Sequence, residues 1–138
     1  MTTGWEAVHV DELDRIPVAG VVWRPLRHRL GIGAFGTNVY SAEAVGEQIV
    51  EDHDESSLGH EEMYVVLRGR ATFTIGGEAL DASVGTVVFI RDPSLRRVAV
   101  ADTADTLVLA VGNAVGKAYE PSQWEEKFFR LAGREPGD

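Results

Sequence analysis

The chain has 138 residues, 44% hydrophobic and 25% charged, enough to bury one core and short of what two independent cores need. A net charge of −9 works against binding a phosphate backbone, no apolar run approaches the roughly 20 residues of a membrane span, and zero cysteines remove disulfides, thiolate nucleophiles and cysteine-ligated zinc together. The expectation is a single domain over residues 1–138 with no nucleic-acid or membrane partner, and a start, Met1-Thr2-Thr3-Gly4-Trp5-Glu6, without the basic and apolar pattern of a secretion signal points to the cytoplasm.

Short runs rich in Val, Ile, Phe and Thr alternate with Gly, Asp and Ser clusters, the pattern of an all-β sandwich or barrel. N-terminal strands are expected within 5–30. Residues 21–30 read as one of them, confined to an edge or a bulge because Pro25 has no N–H to give a ladder. The same stretch, Trp23-Arg24-Pro25-Leu26-Arg27-His28-Arg29, is strongly basic; pairing with the acidic surface is its plain reading, and an anion-attracting rim at the barrel mouth its functional one. Gly31-Ile32-Gly33 reads as a turn, and 34–40 and 48–51 as further strands.

Met63-Tyr64-Val65-Val66-Leu67 is apolar on both alternating faces, so both sides of that strand should be covered, one by the barrel interior and the other by the N-terminal segment or a second subunit. A homodimer is the expected assembly. Arg70 to Ile75, Gly76-Gly77 and Glu78 to Leu80 form the clearest hairpin, with two glycines supplying the positive φ of a tight turn. Residues 97–100 and 106–111 read as a second strand pair joined across 101–105. Trp124, Phe128 and Leu131 lie at helical spacing, and Ser122 with Glu125 has the form of a capping box, so a short helix over about 121–132 should lay its aromatic face on the barrel, before a frayed 133–138.

The segment Glu62-Met63-Tyr64-Val65-Val66-Leu67-Arg68-Gly69 resembles the second half of the first cupin motif, in which a glutamate precedes a glycine across a hydrophobic strand. The hairpin from Gly69 to Glu78 is similar to the cupin hairpin, and residues 81–90 look like the next strand, with Gly85 at the glycine that opens the second motif. The resemblance covers about 44–112 and implies an all-β, single-domain cupin, a double-stranded β-helix or jelly-roll barrel with its core at about 34–112 and a short C-terminal α-helix.

The departures bear on chemistry. Cupins typically place a His-x-His pair after a glycine and five intervening residues; after Gly46 and the five residues 47–51 stands Asp52-His53-Asp54, followed by a loop longer than the pattern before Glu62. The histidine of the second motif would fall eleven positions after Gly85, at Arg96, and Arg91 and Pro93 replace a proline and a glycine. Of the four usual ligands the resemblance implies, Glu62 alone remains. A guanidinium stays protonated and repels a cation, while it holds a carboxylate or phosphate through paired hydrogen bonds. Arg96 is therefore expected either to bind an anionic ligand or to close the former metal site by pairing with Glu62.

Residues 51–62 carry six carboxylates and two histidines, the densest set of potential ligands in the chain. His60, Glu62 and Tyr64 are two apart and share a strand face. The expectation is a pocket without a metal, lined by Arg96, Tyr64, Glu62 and His60, in which a small polar or anionic organic molecule binds and His60 and Glu62 form an acid and base pair. The alternative is an isomerase, lyase or oxygenase, with or without zinc, nickel, manganese or iron on His53, His60 and Glu62. A third reading is a structural role with a filled barrel.

Overall fold

The computed structural model describes residues 4–131. Residues 132–138, expected to close the helix and then fray, lie outside the described residues, as does the Leu131 side chain. The chain runs β1 (Ile16–Val18), β2 (Val21–Arg24), α1 (Leu26–Leu30), β3 (Gly36–Ala42), β4 (Gln48–His53), β5 (His60–Arg68), β6 (Arg70–Ile75), β7 (Glu78–Ser83), β8 (Val87–Ile90), β9 (Arg97–Ala101), β10 (Thr106–Ala114) and α2 (Gln123–Leu131). Two antiparallel sheets, ordered β1-β2-β3-β10-β5-β8 and β4-β9-β6-β7, face each other as a jelly-roll barrel. Alternation along each strand turns Tyr64, Val66 and Val108 of the larger sheet against Ile49, Phe73 and Ala99 of the smaller one, and these residues form the core.

The glycine hairpin forms as expected. Ile75 pairs with Glu78, and Gly76 and Gly77 take φ of 55° and 85°, the two positive values of a tight two-residue turn. Three expectations about connectivity are corrected. Residues 21–30 are not one strand: β2 stops at Pro25, and 26–30 wind into α1, which Gly31 ends at φ 67° while its N–H bonds Arg27 O. Residues 81–90 are two strands in different sheets, separated at Gly85 with φ 88°. β9 and β10 are also not partners; β9 pairs with β4 and β6, β10 with β3 and β5, and the intervening residues carry the chain across the barrel.

The N-terminal segment covers part of the outer face of the larger sheet, where Leu13 packs with Val39 and Leu107, flanked by Val8 and Val10. It does not seal the far side. Met63 and Val65 stay partly exposed on β5, and Leu67, Val87 and Phe89 are exposed. The barrel side of the expected two-sided cover is therefore complete, and the outer side is not. On the other flank, α2 sets Trp124 and Phe128 against Ile16, Val18 and Trp23, with the Trp23 and Trp124 rings edge-on at 5.1 Å.

The register of β3, β10 and β5 positions the site. One inward row reads Asn38, Ala110, Tyr64 and the next reads Gly36, Gly112, Glu62. In each row the middle strand contributes a residue no larger than alanine, so open space separates Asn38 from Tyr64 in the first row and lies beside Glu62 in the second.

Candidate functional site

That space is a cavity of about 80 Å³, room for several waters or a small organic molecule. Its walls come from the two rows, from His53 and Glu51 on β4, from Glu55 in the following loop, and from a closing segment that brings in Tyr119, Trp124 and Glu125. The barrel is open inside rather than filled. His60, Glu62 and Tyr64 all line it, as their shared strand face requires.

Arg96, expected in the pocket, is outside it. Its side chain is 62% exposed and its Nε donates to Asp52 Oδ1 at 3.1 Å on the surface. The inward arginine is Arg97, which has no exposed surface. On β9 the residues Arg97, Ala99 and Ala101 face the core, so a motif count one position short lands on the opposite face of the sheet. Arg97 Nη1 donates to Glu62 Oε1 at 3.0 Å, while its Nε and Nη2 donate to the Leu95 carbonyl at 3.1 and 2.8 Å. The pairing once assigned to Arg96 is thus made by its neighbour, and this guanidinium has no donor fork left for an anion.

Glu62 Oε1 also accepts the Tyr64 hydroxyl. Its Oε2 has no partner among the described residues. Burial and the nearby Glu55 carboxylate raise the Glu62 pKa above the usual carboxylate range, against the opposing pull of Tyr64, His53 and Arg97. Burial, followed by the charge of Glu62, keeps Tyr64 protonated well past the ordinary phenol range, so Tyr64 acts as a donor.

His53 approaches the same carboxylates from the other sheet. Its Nδ1 lies 2.7 Å from the Glu51 carbonyl, which only accepts, and its Nε2 lies 2.8 Å from Glu55 Oε2 and 4.0 Å from Glu62 Oε1. Both ring nitrogens therefore face acceptors, so a proton or another cation must sit on Nε2. Burial opposes that charge, yet the hydrogen bonds to Glu55 and Glu51 outweigh it and bring the His53 pKa to about 9. His60 lies beside this group, its Nδ1 3.6 Å from Glu55 Oε1 and its ring 5.8 Å from that of Tyr119.

The donor set for a metal is accordingly His53, Glu55 and Glu62, whose ligand atoms lie within 4.8 Å of one another, and not the expected His53, His60 and Glu62. The fit is poor. Glu62 Oε1 already serves a guanidinium and a phenol, and a divalent cation on that oxygen would stand against the buried charge of Arg97.

At the other end of the row, Glu125 enters from α2. It is only 2% exposed and does not cap the helix as its spacing suggested. It accepts from Asn38 Nδ2 at 2.9 Å and from the Tyr119 hydroxyl at 3.3 Å, and it faces Arg27 Nε at 3.6 Å. The basic stretch is therefore mostly internal: Arg27 meets Glu125, Arg24 bonds Ser41 Oγ and the carbonyls of Val10 and Leu13, and only Arg29 makes the expected surface pair, with Glu6 at 2.7 Å. Sequence reasoning missed Glu55, Arg97, Asn38, Tyr119 and Glu125. The signal for Glu125 was its place beside Trp124 and three before Phe128, on the buried side of the helix; Glu55 sits in a loop and carries no periodicity.

Comparison of the backbone with solved structures finds a cupin protein of Bacteroides fragilis, 18% identical over 88% of this chain and 93% of that one, TM-score 0.64. The chain has the cupin fold. A sugar phosphate isomerase from the cupin superfamily of Silicibacter pomeroyi is 15% identical over 80% of this chain and 76% of its own, TM-score 0.63. A nucleoside dehydratase of Streptomyces is 17% identical over 81% and 85%, TM-score 0.59. No family model matches the sequence, and no curated protein matches it. Identities this low speak for the cupin barrel alone and leave its chemistry to the residues.

Proposed function

We propose that this cupin barrel binds a small polar organic molecule in its cavity without a metal, and that Glu62 is the group that gives or takes a proton there. The observation carrying the reading is the division of labour on the Glu62 carboxylate, which lines the cavity: Arg97 and Tyr64 hold Oε1, and Oε2 has no partner among the described residues. Fixed on one oxygen and raised in pKa by burial, such a carboxyl holds its proton more readily than an exposed one and can serve as an acid or base. His60 lines the same space and completes the pair read from the sequence, while His53 lies closer to Glu62 and is the nearer source of a proton. Loss of water and isomerisation, the reactions named for two of the similar barrels, are both served by a proton-transfer group.

An anionic ligand loses its support with the placement of Arg96 on the surface. Glu51, Glu55, Glu62 and Glu125 all line the cavity, and among the described residues no arginine does.

A screen of neutral, cationic and acidic small molecules by thermal shift and NMR tests the reading. Compounds that bind the wild type should fail to bind Ala110→Leu, whose side chain fills the floor between Asn38 and Tyr64, and any that are converted should persist unchanged with Glu62→Gln. Stoichiometric transition metal in untagged protein, lost in Glu62→Gln, would overturn the metal-free reading in favour of His53, Glu55 and Glu62 as ligands.

A further inference from the structure

Of the arginines buried among the described residues, Arg27 faces the Glu125 carboxylate and Arg97 that of Glu62, but Arg24 faces none. It is 6% exposed, and its bonds run to neutral oxygens: Nε donates to Ser41 Oγ at 3.2 Å, and Nη1 to the carbonyls of Val10 and Leu13 at 3.1 and 3.3 Å. A chain with 22 acidic and 13 basic side chains has carboxylates in excess, yet none is set against this buried charge. Burial holds the Arg24 pKa below the usual arginine range, with Arg15 adding to the fall and Asp11 opposing it, so the surroundings are short of negative charge.

Arg24 lines a cleft of about 440 Å³ where the N-terminal segment, with Asp11 and Arg15, meets the ends of β2, β3 and β5 and the start of β10. Ser41, also in its wall, follows the cavity-lining Tyr40 on β3 and therefore faces the opposite side of the sheet. Two hydrogens in this wall are unused. Arg24 Nη2 makes no hydrogen bond among the described residues and, unlike Arg68 Nε, is not sealed from solvent. Ser41 Oγ accepts from Arg24 Nε, while its own hydrogen has no acceptor among the described residues. Nε and Nη2 of a guanidinium present parallel hydrogens, so the Ser41 hydroxyl held on one lies beside the other. Pinning the N-terminal segment occupies Nη1 and gives no account of Nη2. At the rim stand Arg15, paired with Glu43, and Arg68, paired with Asp11 and Asp105, all through exposed ion pairs that yield readily to a competing anion.

We infer that this cleft is a second ligand site, on the far side of the sheet from the barrel cavity, and that it takes a small oxyanion: the phosphate or carboxylate group of an organic molecule. The anion accepts from Arg24 Nη2 and from the Ser41 hydroxyl, and its charge compensates the buried guanidinium. Arg15 and Arg68 turn to it from their surface carboxylates. The basic stretch thus serves an anion, as its composition allowed, on the outer face of the sheet instead of at the barrel mouth.

Inorganic phosphate and acetate, titrated with NMR readout at an ionic strength held constant with chloride, are the probes. Wild type should show saturable shifts centred on Ser41 and Ala42; tighter binding of phosphate assigns the site to phosphate esters, and of acetate to carboxylic acids. Arg24→Met should weaken the binding by about tenfold or more, because a charge-assisted hydrogen bond is lost with it. Should the loss of its ties to Val10 and Leu13 unfold that variant, Ser41→Ala carries the test with a loss of about threefold or more. Arg96→Gln, which removes the same formal charge from the surface outside the cleft, should bind as wild type does, and so should Ala110→Leu, which fills the barrel cavity. Shifts that chloride alone reproduces, binding undiminished in Arg24→Met or in Ser41→Ala, or an equal loss in Arg96→Gln overturns the inference.

Discussion

Arg97 Nη1 lies 3.0 Å from Glu62 Oε1, and no other carboxylate among the described residues shares the guanidinium, which is wholly buried. A buried pair of this kind contributes little net stability over an apolar replacement of both partners, but it is expensive to break one-sidedly. Arg97→Leu leaves Glu62 uncompensated and strips donors from the Leu95 carbonyl, so we expect a loss of about 3–5 kcal/mol. The adjacent Arg96→Leu removes only an exposed pair with Asp52 and should stay within about 0.5 kcal/mol of wild type. Urea denaturation of both variants decides it, and similar losses at the two positions would refute the assignment.

The two arginines also mark the boundary of what the sequence discloses. The Glu62 to Gly69 segment and the double-glycine hairpin follow strict local rules, so the barrel, the inward face of His60, Glu62 and Tyr64, and the aromatic face of α2 were legible. Arg97-Val98-Ala99-Val100-Ala101 is not, because small and β-branched residues alternate and either set suits a core. Only pairing with β6, which puts Ala99 opposite Phe73, orients the strand and turns Arg97 inward. The partners Asn38 and Glu125 are 87 positions apart, and nothing local in either segment announces the other. The mistaken β9 to β10 hairpin has the same origin, since a turn sequence says that the chain reverses and not which sheet it rejoins.

Stability should fall as the solution becomes alkaline. His53 holds its proton to about pH 9 in the folded protein and releases it near the ordinary 6.5 when unfolded. A raised folded pKa contributes stability that is complete below 6.5 and disappears as the pH rises through 9. Glu62, raised in the same sense, adds to the decline from a lower pH, whereas burial and Arg27 depress His28 and confine its effect to pH below 6.5. Denaturation midpoints between pH 6.5 and 9 should drop by the equivalent of roughly 2 kcal/mol in wild type and stay nearly level in His53→Gln. An unchanged slope in the variant would show that the proton is not on His53.

Gly69 closes the motif that identified the barrel, and the reason is steric as well as conformational. Its φ is 76°, and an added Cβ would run into the Thr106 hydroxyl and sit 2.9 Å from Thr106 Cα, where backbone cannot give way. Gly77 has a similar φ of 85° but open space around it. Gly69→Ala should therefore cost about 2–4 kcal/mol, with Gly77→Ala near the backbone penalty of about 1 kcal/mol. Thermal melts that rank the pair the other way would contradict the packing at β10.

Glu125 ties the closing helix to the cavity wall. Besides the apolar contacts of Trp124 and Phe128, α2 is held, among its described side chains, by this buried carboxylate, which is shared among Asn38, Tyr119 and Arg27. Removing it strands a cation and an amide in the interior, so Glu125→Ala should cost about 3 kcal/mol and speed hydrogen exchange across residues 123–131. Glu125→Gln keeps an acceptor for Asn38 Nδ2 but withdraws the charge facing Arg27, and it should fall between the two. If the aromatic contacts alone dock the helix, exchange in α2 will match wild type in both variants; if the carboxylate docks it, protection will be lost there first while β5 and β10 keep theirs.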